Sequence, residues 1–207
     1  MDPSSQEDKA ESFAQAVRLL LPQKGGIVLV HGNGPQIGMI LLRIEATRDR
    51  IPAETLDIMV AETQGSIGYI LCRALRKMIP EREIAAVLTQ VLVDSDDPGF
   101  ASPSKPVGPF YPENVAEKLK HVHGWKLEEI PDRGWRRVVP SPRPKRIIEL
   151  HTIADAVSHG HVVIAGGGGG IPITRDEKNI FRGVEAVIDK DLTAYQLAIA
   201  VGAERFV

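Results

Sequence analysis

The segment VLVHGNGPQIG, residues 28–38, constrains this chain more than any other stretch. An apolar run over residues 28–30 stops at a turn holding Gly32, Asn33 and Gly34, and Pro35 stands where a helix would begin. Proline loses no hydrogen bond at a first helical position, because an N–H there has no acceptor within the helix. The order is strand, glycine turn, helix start. Free backbone amides and the positive end of a helix dipole meet at such a turn, which favours an anion. A denser version follows at residues 162–172, VVIAGGGGGIP. Two such turns in one chain point to a protein that handles phosphate.

Each turn also has a plainer explanation. Glycine supplies positive φ and Asn33 tolerates the left-handed region, so turn geometry alone would account for residues 32–34. The run at 166–170 could be a flexible loop. Ordering five glycines costs considerable entropy, however, so backbone lying directly against a phosphate chain is the better explanation. Neither turn is a P-loop, since no Gly-Lys-Ser/Thr follows. The glycines at 32, 34 and 38 miss the third spacing of the dinucleotide fingerprint, which disfavours a dinucleotide-dependent oxidoreductase.

Around these turns the pattern predicts alternating elements. Ser4 with Glu7 matches a capping box, and Phe13, Ala16, Val17 and Leu20 recur at helical spacing. A strand over residues 27–30 precedes helices over about 35–48 and about 56–77. Gly65 and Gly68 interrupt the second helix, which suggests close approach of a backbone or a ligand. Residues 83–94 contain a further strand. A helix over about 146–158, a strand over 161–165, a helix over about 192–201 and a strand from Glu204 complete the pattern. Strands alternating with helices imply a mainly parallel sheet between helical layers, a three-layer α/β/α fold. The 207 residues fit one such domain, 1–207.

Residues 95–146 differ in character. Prolines are frequent, both tryptophans lie here, and GWKLEEIPDRGWRRVVP reads as a hairpin. This stretch is expected to be an inserted flap, too short and too proline-rich for a core of its own. Lys105 sits in it between Pro103 and Pro106, on a stiff loop, with Arg133, Arg136, Arg137, Arg143, Lys145 and Arg146 downstream. A formal net charge of −2 argues against nucleic acid as the partner and for a flap that brings positive charge over an anionic pocket. VIDKDL brackets Lys190 with Asp189 and Asp191, so the lysine stays protonated, and Asp191 is expected to be a helix N-cap. A solvated charge cluster is the plainer alternative. The histidines are expected mostly on the surface. Asp94, Asp96 and Asp97 form a turn or help bind a metal, and Cys72 is a small core residue. The single cysteine suits a reducing compartment. No apolar run approaches the roughly 18 residues of a membrane span, so cytoplasm is the default.

Taken in order, VLVHGNGPQIG, AETQGSIGY, LTQVLVD, KPVGPFY, RGWRRVVPSPRPKRI, VIAGGGGGIP and GVEAVIDKDL resemble the carbamate kinases of the amino-acid-kinase superfamily. The resemblance runs from about residue 12 to the end. It implies the reversible reaction of MgATP with carbamate to give ADP and carbamoyl phosphate, within arginine metabolism, in a homodimer. By motif, it implies that Gly32, Asn33 and Gly34 face carbamate and the transferred group. Gly166, Gly167 and Gly168 would border the nucleotide phosphates. Lys105, Lys190 and Asp191 would be catalytic, with no metal held by the protein alone. The family opens with a strand and a Gly-Gly-Asn turn that nothing here matches, and it continues past residues 203–207. The expectation is therefore a chain with little or no turnover. The alternative is a non-catalytic relic that binds anions or nucleotide, or pairs with another chain.

Overall fold

A computed structural model describes residues 3–207, with side chains from residue 5 onward. Helix α1 (Pro3–Leu20) leads to strand β1 (Ile27–Leu29), then α2 (Gly34–Thr47) and α3 (Leu56–Met78). Strands β2 (Ile84–Ala86) and β3 (Gln90–Val93) follow. The middle of the chain holds α4 (Pro98–Ala101), β4 (Lys105–Tyr111), α5 (Glu113–His123), β5 (Leu127–Ile130) and β6 (Gly134–Val139). After these come β7 (Pro144–Ile147), α6 (Leu150–Ser158), β8 (Val162–Ile164), a 3-10 turn (Gly167–Gly169), β9 (Ile171–Arg175), β10 (Phe181–Gly183) and α7 (Lys190–Ala200).

Strands β1, β8 and β2 lie in that order and run parallel, with Val28 opposite Val163 and Ala85 opposite Val163 on the other side. All of β8 is apolar and buried, as a strand covered on both faces must be. Its side chains alternate. Val162 and Ile164 pack with Ala14 and Val17 of α1 and Leu71 and Leu75 of α3. Val163 points the other way, to Ile153 of α6 and Leu197 of α7. Period-two alternation in one strand thus divides the core into two layers and makes the sandwich. Each such side chain contributes about 1.5–3 kcal/mol on burial.

Residues 83–94 hold two strands rather than one. β3 and β9 pair in parallel within a second sheet, ordered β10-β9-β3-β7, with β7 and β10 antiparallel at its edges. The break falls at residues 87–89, opposite the glycine run that separates β8 from β9. Two hydrogen bonds join the sheets there, Val87 N–H to Ile164 O and Ile171 N–H to Thr89 O. Residues 144–147, expected partly as flap and partly as helix, form β7 of this sheet. Its antiparallel bonds to β3 leave the helix to start only at Leu150.

Strands β4, β6 and β5 form a third, antiparallel sheet, and the expected hairpin is β5–β6. Lys105 opens β4 instead of lying on a loop. β4 is an edge strand with a bulge between Val107 and Phe110, so Pro106 and Pro109 are tolerated. This sheet has a small cluster of its own (Tyr111, Ala116 and Leu127) and is anchored by Val107 and Val139 against Ile37, Leu41 and Met59 of α2 and α3. The Tyr111 hydroxyl donates to the Glu45 carboxylate on α2.

Two expectations at the ends are corrected. Helix α1 already runs through Ser4, so the Ser4–Glu7 box does not precede the helix, and the Ser4 side chain lies outside the described residues. The strand expected from Glu204 does not form: residues 204–207 pair with no strand among the described residues.

Candidate active site

The carboxyl ends of β1 and β8 deliver both glycine turns to one place. After β1, Asn33 is the N-cap residue of α2, with φ −141° and ψ 8°, so it does not adopt the left-handed conformation that its residue type allows. Neither Gly32 nor Gly34 has positive φ. The Asn33 side chain does not cap the helix either. Its amide donates to Thr63 Oγ1 at 2.9 Å, and Thr63 in turn donates to Val60 O at 2.8 Å. The first amides of α2 are therefore left without a side-chain cap, and Pro35 stands among them. A Cβ built on Gly34 would meet nothing within 4 Å, and one on Gly32 only the Lys190 stem, 3.8 Å away.

The second turn is tightly packed. Gly166, Gly168, Gly169 and Gly170 all have positive φ. Gly166 N–H donates to Thr89 Oγ1, Gly168 N–H to His31 O, Gly169 N–H to Gly166 O and Gly170 N–H to Gly167 O. A Cβ on Gly167 would lie 2.3 Å from the His31 ring, and one on Gly168 2.2 Å from the Asn33 amide. On Gly169 it would lie 2.1 Å from the Ile188 carbonyl. Gln64 stitches this turn to α3. It donates to Gly167 O (2.9 Å) and accepts from Thr89 N–H (2.8 Å).

The charged residues arrive from two other segments. The N-cap of α7 is Asp189, not Asp191, because the helix begins at Lys190 and Asp189 Oδ1 accepts from Asp191 N–H at 2.9 Å. Asp189 Oδ2 accepts from Lys105 Nζ at 2.8 Å, across from β4. The Lys105 ammonium, ahead of the capped amides, holds the Asp189 carboxyl below its ordinary value. Lys190 Nζ pairs with the neighbouring Asp191 carboxylate. Thr193 Oγ1 ties α7 to Gly169 O at 2.7 Å. Hydrogen bonds thus link Lys105 to Asp189 and Asp189 to the first turn of α7, Gly168 N–H on His31 O joins the two glycine turns, and the Lys190 stem stands 3.8 Å from where a Cβ on Gly32 would lie.

Other expected residues lie elsewhere. Arg137 pairs with Glu185 and stacks on Trp125, Arg133 covers Phe110, and Lys145 pairs with Asp94. Only part of the basic run thus stands over the turns. Arg136 does: it shares an open cleft of about 370 Å³ with Gly34, Pro35 and Gly38. Asp97 caps α4, and Asp94 accepts from Asp96 N–H, so these aspartates form a turn. A Cβ on Gly68 would lie 2.8 Å from the Ala86 side chain rather than against a backbone, and one on Gly65 would meet nothing within 4 Å; Cys72 is buried in the core.

Sequence reasoning missed His31, Thr63, Gln64 and Thr89. Thr63, Gln64 and Thr89 are buried polar residues of the core, and polar residues on an otherwise buried helix face are the signal that could have found two of them. His31 is partly buried. Burial lowers its pKa from the ordinary 6.5, against the opposing Gly32 carbonyl 3.1 Å from Nδ1. With Gln64, Tyr69, Leu88 and Gly167 it lines a cavity of about 280 Å³.

The chain belongs to the amino acid kinase family, whose model matches residues 3–207. Relatives it resembles include proteins named carbamate kinase or carbamate kinase-like. The Thermococcus kodakarensis carbamate kinase is 46% identical over 97% of this chain, and the Escherichia coli carbamate kinase-like protein YqeA 43% identical over all of it. Among solved structures, a protein of Aeropyrum pernix K1 superposes with a TM-score of 0.92 at 38% identity, over 98% of this chain and 66% of that one. The Giardia lamblia carbamate kinase bound to AMP-PNP gives 0.87 at 38% identity, over 97% and 65%. The chain spans 65% of the length of the Thermococcus relative and 68% of YqeA. No helix among the described residues is long and apolar enough to cross a membrane.

Proposed function

We propose that the site is that of a carbamate kinase-type phosphotransferase, joining ATP and carbamate to ADP and carbamoyl phosphate. The observation that carries this reading is the emptiness in front of Gly32 and Gly34. Neither backbone conformation nor a neighbouring atom requires glycine there, yet Lys190 stands alongside and the first amides of α2 are uncapped. A small anion lying against the backbone accounts for both glycines.

The chemistry suits such a site. Carbamate brings a negatively charged oxygen and needs no base to activate it. That oxygen attacks the terminal phosphorus of the nucleotide. An O–P bond forms, the bond to the bridging oxygen breaks, and the electron pair leaves on the diphosphate. The barrier lies in bringing anions together in line, so positioning and positive charge do the catalysis. Gly32, Asn33 and Gly34 would hold carbamate and the moving group. Lys190 and Lys105 would neutralise its oxygens, with Asp191 orienting Lys190. Gly166, Gly167 and Gly168 would shape the wall toward the nucleotide, with Gly167 the member whose amide the turn itself leaves unused. Among the described residues no three acidic, His or Cys side chains cluster around a metal position. Mg²⁺ would arrive as part of the nucleotide substrate, held mainly by phosphate oxygens and water. A homodimer in the cytoplasm, with no nucleic acid or membrane partner, completes the proposal.

The alternative reading is an anion- or nucleotide-binding module without turnover. Calorimetry with carbamoyl phosphate and ADP, paired with a coupled ATP-formation assay, separates them. Binding with ATP formation supports the kinase, and binding alone supports the module. No heat with either ligand overturns both.

A further inference from the structure

Asp189 holds two partners at once. Oδ1 caps α7 through Asp191 N–H at 2.9 Å, and Oδ2 grips the Lys105 ammonium at 2.8 Å. One carboxylate therefore joins the first residue of the third sheet to the first turn of the helix that carries Lys190. The rest of that sheet is held by packing on α2 and α3, by Tyr111 on Glu45 and by Arg137 on Glu185. The Lys105 ammonium has no other side-chain partner among the described residues, and its side chain remains 37% exposed. A half-exposed ion pair of this kind is held by little net energy, so a doubly charged anion arriving beside it competes effectively.

We infer that Asp189 is a positioning residue: it docks β4 over the start of α7 through Lys105 and yields that ammonium to the phosphoryl group when the anion arrives. The inference rests on the phosphoryl site proposed above. The ion pair holds Lys105 against the N-cap residue of α7, next in sequence to Lys190. Asp189 thus sets the geometry of the site without touching the reacting atoms.

The test is a double-mutant cycle read by hydrogen exchange at the Ser104, Lys105 and Val107 amides. Asp189→Asn keeps a good helix cap and removes the charge. Asp189→Asn and Lys105→Ala should each speed this exchange about threefold or more, and the double variant should be no faster than either. Asp189→Glu should restore protection. Carbamoyl phosphate should restore it in Asp189→Asn, where Lys105 is free to seize the anion, and not in Lys105→Ala. Unchanged exchange in Asp189→Asn, or additive effects in the double variant, overturns the inference. If Asn at 189 melts α7, Lys105→Ala carries the question from the other side: exchange in β4 must rise while α7 stays protected, and failure to rise overturns it. A wild-type chain that ignores carbamoyl phosphate overturns the phosphoryl-site reading instead, while the anion-free cycle still decides the docking role.

Discussion

The two glycine turns look alike in sequence and are built for opposite ends. In the 166–170 turn, glycine is required from within. Four of its five residues have positive φ, and the His31 ring, the Asn33 amide and the Ile188 carbonyl press against three of them. Its amides bond mostly to Thr89, His31 and the turn itself. In the 32–34 turn nothing internal requires glycine. φ is ordinary, the space in front is open and the helix amides are uncapped. A glycine that the fold does not need is better evidence of a ligand than one that it does.

Gly169→Ala should break this contrast most visibly. The new Cβ would need a φ near +94° and would sit 2.1 Å from a backbone carbonyl that cannot swing aside. Strain and clash together predict a loss of about 3 kcal/mol or more. Urea unfolding monitored by circular dichroism checks it, and a midpoint equal to wild type would show that the turn is slack.

Next in size is Lys190→Ala. Lys190 is half exposed, and its ion partner is its own neighbour Asp191, so stability should change by under about 1 kcal/mol. Carbamoyl phosphate affinity should fall about tenfold or more, and any turnover by orders of magnitude. Unaltered binding in calorimetry would remove Lys190 from the site and leave the 32–34 glycines without an explanation.

How much was legible beforehand follows the same division. Local signals placed α2, α3, β8 and α7 within a few residues, because periodicity and glycine or proline punctuation act over short range. Lys105, Lys190 and the two turns could be named from motif, and the fold brings them together. The Asp189–Lys105 pair could not be read, since 84 residues separate its members and only the third sheet closes that distance. Gln64 and Thr89 were missed for a related reason: a buried polar residue shows its purpose only when its partner, here the glycine run, is known. β7 was read partly as flap and partly as helix because its partner β3 is distant in the sequence (Val93 pairs with Pro144), and local propensity does not register such pairing.

A pH scan sharpens the comparison where the turns touch. His31 lies between them, its carbonyl accepting from Gly168 N–H and its ring against Gly167. Its pKa in the fold is below 6.5, so the unfolded chain binds a proton more readily. The stability that neutral His31 contributes is complete above 6.5 and is lost as pH falls toward the folded value. His123, also lowered, adds in the same sense. Asp189, lowered from 3.8, acts only in a more acidic window. Melting temperature should therefore drop between about pH 7.5 and about pH 5.5, and His31→Gln should flatten part of that slope. A slope untouched by this variant would place the titration elsewhere.

Gly34→Ala is the smallest expected change in stability and the most telling for function. The position is helical and its Cβ meets nothing within 4 Å, so alanine should stabilise α2 by up to about 1 kcal/mol. If an anion lies against that backbone, the added methyl group displaces it and carbamoyl phosphate affinity falls even as the melting temperature holds or rises. Opposite signs in the two measurements would separate a glycine kept for a ligand from one kept for a turn. If affinity holds as well, Gly34 serves neither purpose, and the anion must be sought on the Arg136 side of the cleft.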